Sequence, residues 1–492
     1  MRISKILVFL SPIFLILFFW RNTIIHLSTH LFDWNTVPFA IWTLQNNLRH
    51  MSLLDLTIYN ETNAMFPFPL SLSFNEHMYF PSMIIYPISL FTNNAILQFN
   101  ILAIFNHIMI YFAAFLLIGR FVKDVKAKSL FGLFIALSPF VVSNLGTVYL
   151  VFFWPLLLSF YFLLHPNRQI YHYMLAGLFL GWQCMSSFYL GPGGLIIILL
   201  YYLLRFFVPQ LFSFVSYSKK EFEDKRKAFL YSYYSFLDGE KPSSLVRIGA
   251  ELAIILIMFL IVIEPTLEAY FQMGGLYKIS FLHRGMGAPL ASWPLFAFLG
   301  IGVFLTARYE FLFSQVKKSQ FKAAFFISIF ILLLLGFYRY PLASTQVEWW
   351  TKGYEVTKQI CSENPAPLLE YPFDYRAKDR TYLKDVSYKN VILLASTFHP
   401  CDILSGFTGY QPKKYGEYRN FLQNNTFNRG SLKLLTDLNF KYIKFNYFAM
   451  NDNEKKQIQD FMKFGYAKKL YEDNDILLVQ IRKLTKSELI EK

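Results

Sequence analysis

The chain has 492 residues, of which 55% are apolar and 16% charged, and its 47 Lys and Arg exceed its 32 Asp and Glu to give a formal charge of +15. Soluble proteins carry about 25% charged residues, so this composition argues against a soluble enzyme and favours a membrane protein. No Gly-rich, zinc-binding or aromatic-basic motif accompanies the positive charge, so nucleic acid is not a predicted partner. The three cysteines are too few for a disulfide scaffold.

Apolar segments recur along the first two thirds of the chain, at about the 20 residues that a helix needs to cross a bilayer. Nine of them begin at Ile6, Ile96, Ser129, Val148, Ile170, Gly191, Ile248, Trp293 and Ala323, and the last ends near Phe337. No small-residue cleavage site follows the first, which we predict to be an uncleaved anchor. The sequence therefore predicts an all-α polytopic transmembrane bundle of about nine spans over residues 1–337.

Lys and Arg in the short connections predict the orientation of these spans. With the N-terminus inside, the inner connections hold most of them, whereas the outer loops up to Phe337 hold only Arg21, Arg49, Lys278 and Arg284. We therefore predict a multi-pass protein of the cytoplasmic (inner) membrane. The apolar stretch from Met78 to Phe91 contains two prolines and would invert every later loop if it crossed, so we predict that it lies in the outer interface.

Residues 338–492 mix charged and apolar positions and contain no window long enough to span. Nine crossings would place this region outside the membrane. Periodicity predicts a small α/β domain with a helix end at Val356–Ile360, strands at Ala366–Tyr371, Tyr442–Tyr447 and Ile476–Ile481, a strand or helix at Val391–Ala395, and a helix at Glu454–Phe464.

The first outer loop, residues 26–94, holds most of the outward acidic residues of the membrane region, with Asp33 shortly after the first span. A carboxylate at a helix exit is held rigidly while it still meets water and a lipid-borne substrate. It can then act as the general base for an acceptor hydroxyl that attacks a sugar. The structural alternative is that Asp33 caps the next helix or faces water, and residue type does not decide between the two.

Several motifs in this loop and in the tail occur together in one known group of proteins. They are Asp33-Trp34, Trp42, Leu54-Asp55, Ile58 to Asn60, Pro67, Asn75-Glu76-His77, Leu404 to Pro412 and Leu432 to Ile443. In their order and spacing the chain resembles polytopic bacterial membrane proteins classed with the C-type (GT-C) glycosyltransferases. That superfamily includes protein O-mannosyltransferases, aminoarabinose transferases and the catalytic subunit of oligosaccharyltransferase.

The resemblance implies transfer of a sugar from a polyprenyl-phosphate donor to a glycan, lipid or protein acceptor at the outer face of the bilayer. It implies that Asp33 is the acidic residue that serves as base or metal ligand, and that Glu76 and His77 form the group's Glu-His pair. Trp34 and Asn35 follow Asp33 where some relatives have a second acidic residue, so a tightly bound divalent metal is not implied. Glu61, which we place with the substrate-binding residues, or Glu76 remains available as a distant second ligand.

A phosphate leaving group needs a cation in a site of low dielectric constant. The loop between the seventh and eighth spans offers Lys278, His283 and Arg284, and we choose Arg284 for the lipid phosphate. The alternatives are that Arg284 snorkels to lipid headgroups and that Lys278 is simply solvated.

Ionisable residues within spans suggest two other functions. His107, Glu251 and Glu264 would matter most in a transporter or lipid flippase, although no inverted repeat accompanies them. A non-catalytic envelope scaffold would instead have first-loop carboxylates that face bulk water. Cys361 and Cys401 fall in the predicted outer domain, where they either form a bridge or remain separate.

Overall fold

The computed structural model describes residues 2–33, 36–52, 62–74, 76–187, 189–214, 245–277, 345–346, 354–372, 388–405, 412–424, 428–447, 450–463 and 465–482. The first part of the chain is helical, and the last part mixes helices with a sheet. The helices up to residue 277 are α1 (Arg2–Phe19), α2 (Arg21–Ile25), α3 (Val37–Ser52), α4 (Tyr79–Ser89), α5 (Ala95–Ile118), α6 (Val125–Ala136), α7 (Pro139–Ser143), α8 (Val148–Val151), α9 (Trp154–Leu163), α10 (Ile170–Ser186), α11 (Leu190–Phe214) and α12 (Leu245–Tyr277).

The later helices are α13 (Tyr354–Glu363), α14 (Tyr388–Ser396), α15 (Lys413–Asn424), α16 (Arg429–Asp437) and α17 (Asp452–Lys463). The strands are β1 (His30–Leu31), β2 (Thr345–Gln346), β3 (Leu368–Tyr371), β4 (Tyr442–Asn446), β5 (Ala467–Glu472) and β6 (Ile476–Ile481). β1 and β2 form an antiparallel pair, and the other four strands form one sheet in the order β3-β4-β6-β5.

Apolar helices of spanning length support the prediction that the first part of the chain lies in a membrane. Three helical stretches of the described residues are long and apolar enough to cross a bilayer, at Ala95–Ile118, Val125–Ser143 (α6 and α7 together) and Val246–Ala269. Shorter apolar helices lie at Ile6–Phe19, Val148–Leu163 and Leu190–Leu203. The spans predicted from Trp293 and Ala323 lie outside the described residues, so the count of nine remains a prediction.

Two of the predicted spans are pairs of short helices rather than single ones. Ser138 caps α7 by accepting a hydrogen bond from the Val141 backbone N–H, and Pro139 follows as the first residue of that helix. Pro155 occupies the first turn of α9 and separates it from α8. Because proline lacks the N–H that would continue the preceding helix, both breaks follow from the sequence.

Buried side chains and small residues hold the bundle together. Gly177 and Gly181 lie one turn apart on α10, and a Cβ at either would collide with α12, at Ile255 and Val262 respectively. This close approach is the usual use of small residues between apolar helices. His107 on α5 donates from Nε2 to the Ala136 carbonyl at 2.7 Å. Trp20 Nε1 donates to His107 Nδ1 at 2.9 Å, so this ring joins three helical segments.

The stretch predicted to lie in the interface forms α4, a helix of 11 residues. Eleven residues rise about 17 Å, roughly half of what a crossing requires. Its buried side chains, such as Phe80 and Ile85, pack into the bundle core, whereas Met83, Leu90 and Phe91 are exposed at this edge. This helix is therefore too short to cross the membrane. This agrees with the distribution of Lys and Arg, which predicted that the stretch does not cross.

The α/β part of the chain follows the predicted elements closely. β3 and β4 are parallel with Leu368 opposite Tyr442, and β6 pairs antiparallel with both β4 and β5. Asn451 and Glu454 form a reciprocal capping box at the start of α17, whose Ile458 and Phe461 are buried. The ambiguous segment Val391–Ala395 is helical, within α14. Cys361 and Cys401 form a disulfide, which decides the alternative that the sequence left open.

The first loop is tied to the α/β part by backbone pairing. Ile403 N–H donates to the Asn63 carbonyl at 2.7 Å, and Phe66 N–H donates back to the Ile403 carbonyl at 2.9 Å. Ile403 also forms a parallel bridge with Leu368 of β3. Asn63 adds side-chain bonds, accepting from Trp42 Nε1 on α3 and donating to the Ser396 carbonyl at the end of α14. The loop that carries Glu76 is thereby fixed to both halves of the molecule.

Candidate active site

The segment that carries Asp33 is held against the bundle by asparagine side chains. Asn100 on α5 is fully buried and donates from Nδ2 to the carbonyls of Leu27, at 2.8 Å, and His30, at 2.9 Å. Asn94, which caps the same helix, donates to the Ser28 carbonyl. These bonds give the three backbone carbonyls a hydrogen-bond partner, and they fix the position at which the chain leaves the bundle. Asp33 follows only three residues after His30.

Asp33 is half-buried and organises the start of α3. Its Oδ2 accepts a hydrogen bond from the Thr36 hydroxyl at 2.8 Å and a longer one from the Thr36 N–H at 3.4 Å. Thr36 directly precedes α3, so this carboxylate holds the residue at which that helix begins. This contact agrees with the structural alternative for Asp33.

The connection between α7 and α8 lies directly against this carboxylate. A Cβ built at Gly146 would collide with Asp33 Oδ2 and Cγ. Any larger residue at this position would displace the Asp33 carboxylate. The turn before it offers only a weak sequence signal, Asn144-Leu145-Gly146, and sequence reasoning did not identify this contact.

Glu76 lies near α8, the helix that follows this connection. Its side chain is buried, and its carboxyl group lies within electrostatic range of the Tyr149 hydroxyl and the Cys184 thiol. The Tyr149 ring stacks on Tyr189, with centroids 6.3 Å apart, and meets Phe39 of α3 edge to face at 6.4 Å. The short segment from Gly146 to Tyr149 thus has Asp33 against its first residue and Glu76 near its last. We call this arrangement the two-carboxylate segment.

His77 is built into the packing beside this segment. The imidazole is fully buried, and its Nε2 donates to the Cys184 carbonyl of α10 at 3.0 Å. Asn47 on α3 donates to the His77 carbonyl and to the Ser82 hydroxyl. Met78, the next residue, has a positive φ of 44°, which is uncommon for a residue with a side chain and costs free energy. Packing on three helices therefore stabilises a strained turn that directs Glu76 and His77 inwards.

The other predicted site residues, Glu61, Lys278, His283 and Arg284, lie outside the described residues. The structure therefore places Asp33 against Gly146, Glu76 near Tyr149 and His77 against Cys184, and it leaves the proposed cations as sequence-based predictions. These assignments remain predictions for all seven residues, because position alone does not establish a role.

A bound metal ion would need several donor atoms that lie close together. In the part of the chain that the structure describes, the one group of three close donors comprises Cys361, His399 and Cys401. Its two sulfur atoms are bonded to each other, so they are not thiolate ligands in this form. Asp33 and Glu76 belong to no such group among the described residues.

Comparisons with known proteins give a structural likeness and no sequence relative. No protein-family model matches the chain, and no curated protein matches it. Among solved structures, the oligosaccharyltransferase AglB of the archaeon Archaeoglobus fulgidus, in complex with an inhibitory peptide and a dolichol-phosphate, aligns with a TM-score of 0.47 and 13% identity over 89% of this chain and 69% of that chain. A complex of the A. fulgidus oligosaccharyltransferase with zinc and sulfate aligns with a TM-score of 0.45 and 13% identity, over 89% and 68%. At these values the likeness establishes no shared reaction, substrate or site.

Proposed function

We propose that this protein is a membrane glycosyltransferase of the C type, which transfers a sugar from a polyprenyl-phosphate donor to an acceptor at the outer face of the membrane. The observation that carries the proposal is the two-carboxylate segment. It lies at one end of an apolar bundle, and both carboxylates come from the loop whose motifs resemble that superfamily.

Asp33 serves as the general base in this proposal. The acceptor hydroxyl gives its proton to the Asp33 carboxylate while its oxygen bonds to the anomeric carbon. The bond from that carbon to the donor phosphate breaks, and the polyprenyl phosphate leaves with the electron pair. Glu76 adds a second negative charge near the positive charge that develops on the sugar ring. Arg284, with Lys278 and His283, takes the cationic role toward the leaving phosphate.

Asparagine at position 33 separates catalysis from capping. Asn and Asp are equally good at a helix start, so Asp33→Asn should keep α3 and remove only the base. We expect a loss of transfer of about 10²–10⁴-fold, the usual contribution of a general base. The measurement is the envelope glycan profile, by mass spectrometry, of a host that lacks the gene and is complemented with each variant at matched protein level.

Asp124→Asn provides the matched control. Asp124 also caps a helix, accepting from the Lys126 N–H at the start of α6, and it lies beyond the other end of α5 from Asn94 and the first loop. We expect this variant to restore the profile fully. An unchanged profile with Asp33→Asn at normal protein level would contradict the proposal, as would an equal loss with both variants.

The described residues favour this function over the two alternatives. A scaffold would leave the first-loop carboxylates in bulk water, whereas Glu76 is 4% exposed and Asp33 lies against Gly146. A proton relay in a transporter would need a free ring nitrogen on His107, and both of its nitrogens are hydrogen-bonded. Glu251 pairs with Arg247 at 3.1 Å one turn away, as expected for a pair that snorkels at a helix end.

A further inference from the structure

A cavity of about 500 Å³ opens in the α/β part of the chain, within the size range of small-molecule sites. It lies where α16 ends, β4 begins and β6 ends. The polar residues that line it are Thr436, Asn439, Lys441, Gln480 and Arg482. It is separate from the two-carboxylate segment, which is built from the first loop and the bundle.

The charge of this cavity is positive. Lys441 and Arg482 line it, and none of its described lining residues is acidic. Lys441 has no carboxylate partner among the described residues, and its Nζ lies 5.6 Å from the centre of the Tyr442 ring. A cation in a partly enclosed site, without a carboxylate to neutralise it, favours an anionic ligand.

Neutral hydrogen-bonding groups surround these cations. The Thr436 hydroxyl oxygen is fully buried, so a ligand in the cavity does not reach it. Two side-chain amides, of Asn439 and Gln480, also line the cavity, so hydrogen-bond donors and acceptors lie beside the positive charges. Asn439 has a positive φ of 60°.

We propose that this cavity binds an anionic saccharide unit, a sugar that carries a carboxylate or a phosphate. Lys441 holds the acidic group, Arg482 adds positive charge to the cavity lining, and the two amides bond to sugar hydroxyls. The preference for an anion follows from the cavity itself, whereas the choice of a saccharide rests on the proposed function. This site would recognise the glycan acceptor at a distance from the reacting atoms.

Direct binding tests the proposal on the full chain in nanodiscs of zwitterionic lipid. The probes are glucuronic acid, glucose as its neutral match, and inorganic phosphate as the free anion, each followed by ligand-detected NMR. We expect glucuronic acid to bind at least about tenfold more tightly than glucose, which lacks the charge-assisted bond that contributes about a factor of ten. It should also bind more tightly than phosphate, which lacks the sugar hydroxyls. Lys441→Gln should weaken binding about tenfold, and Arg482→Gln and Gln480→Ala less.

Lys463→Gln, on the outer face of α17 where Lys463 pairs with Asp460, is the control and should bind as the wild type does. Equal binding of glucose and glucuronic acid would overturn the proposal, as would equal weakening by the control. Phosphate that binds as tightly as glucuronic acid would overturn the saccharide assignment. Asp33→Asn should bind glucuronic acid normally, so failure of the proposed reaction and failure of this site give different results.

Discussion

The carboxylate of Asp33 is constrained by two neighbours that act in different ways. Thr36 donates hydrogen bonds to it and orients it, whereas Gly146 gives it space. Sequence reasoning found Asp33 because it is acidic and follows an apolar span. The role of Gly146 depends on a contact between segments more than a hundred residues apart, which no local pattern encodes. For the same reason, the burial of Glu76 beside Tyr149 could not be predicted.

Gly146→Ala should abolish the proposed sugar transfer without unfolding the protein. The added methyl group occupies the space of the Asp33 carboxylate, so the base must turn away from its position. A displacement of about 1 Å costs about a hundredfold in rate, and we expect a loss of at least that size. Transfer activity and thermal unfolding of the same purified variant check this prediction.

Gly249→Ala is the control for this substitution. A Cβ at Gly249, inside α12, meets nothing within 4 Å, so alanine should leave activity unchanged and stabilise the helix by up to about 1 kcal/mol. Full activity of Gly146→Ala would show that Asp33 tolerates displacement, which contradicts its assignment as the base.

At the scale of elements, the parallel strands β3 and β4 carry a buried ion pair between them. Glu370 and Lys444 are opposite each other in register and are fully buried, with Nζ and Oε2 3.6 Å apart. Burial lowers the pKa of Lys444 to about 8, although the Glu370 charge opposes this shift. Burial would raise the pKa of Glu370, but Lys444 and His399 outweigh it and lower this pKa below its usual value. Both groups are therefore charged at pH 7.

Removal of one partner should cost more than removal of both. Lys444→Met leaves the Glu370 carboxylate buried without its nearest cation, so we expect β3 and β4 to lose about 3–5 kcal/mol. Lys444→Met/Glu370→Leu removes the charges together and should recover most of that loss. Hydrogen exchange of peptides from these two strands at pH 7, followed by mass spectrometry, measures the difference.

Lys469→Met measures how much an exposed ion pair contributes to stability. Lys469 bonds to Glu472 on the edge strand β5, and both side chains are exposed. Loss of this pair should change the free energy of opening measured by hydrogen exchange by less than about 1 kcal/mol. Equal protection in the single and double variants of the buried pair would contradict the ion-pair interpretation.

Most elements of the α/β part could be predicted because their periodicity is strong, as in β6, whose predicted and observed bounds agree. β5 was not predicted, since three of the six residues of Ala467–Glu472 are charged and the segment resembles a solvated loop. It forms because it pairs along β6. The breaks before α7 and α9 were also missed, because hydropathy averages over the single prolines that cause them.

At the scale of the whole molecule, the predicted orientation places the α/β part outside and the loop between α5 and α6 inside. Native sulfurs do not interfere with labelling, because Cys184 is buried and the other two cysteines are disulfide-bonded. Lys456 on α17 and Lys123 before α6 are both exposed and offer labelling positions.

Lys456→Cys should react with a membrane-impermeant maleimide in cells whose inner membrane is intact. Lys123→Cys should react only after that membrane is permeabilised. Mass spectrometry of the purified variants measures the labelled fraction. The reverse pattern would put Asp33 on the cytoplasmic side, away from a donor presented at the outer face.

The pairing of the first loop with Ile403 has a consequence for how the molecule is made. The Asn63 side chain bonds to the Ser396 carbonyl, 333 residues further along the chain. A ribosome releases the early loop long before its partner exists, and the later helices must enter the bilayer in between. The first loop therefore gains this anchor only at a late stage of synthesis, so a prematurely terminated chain would insert in the membrane without it.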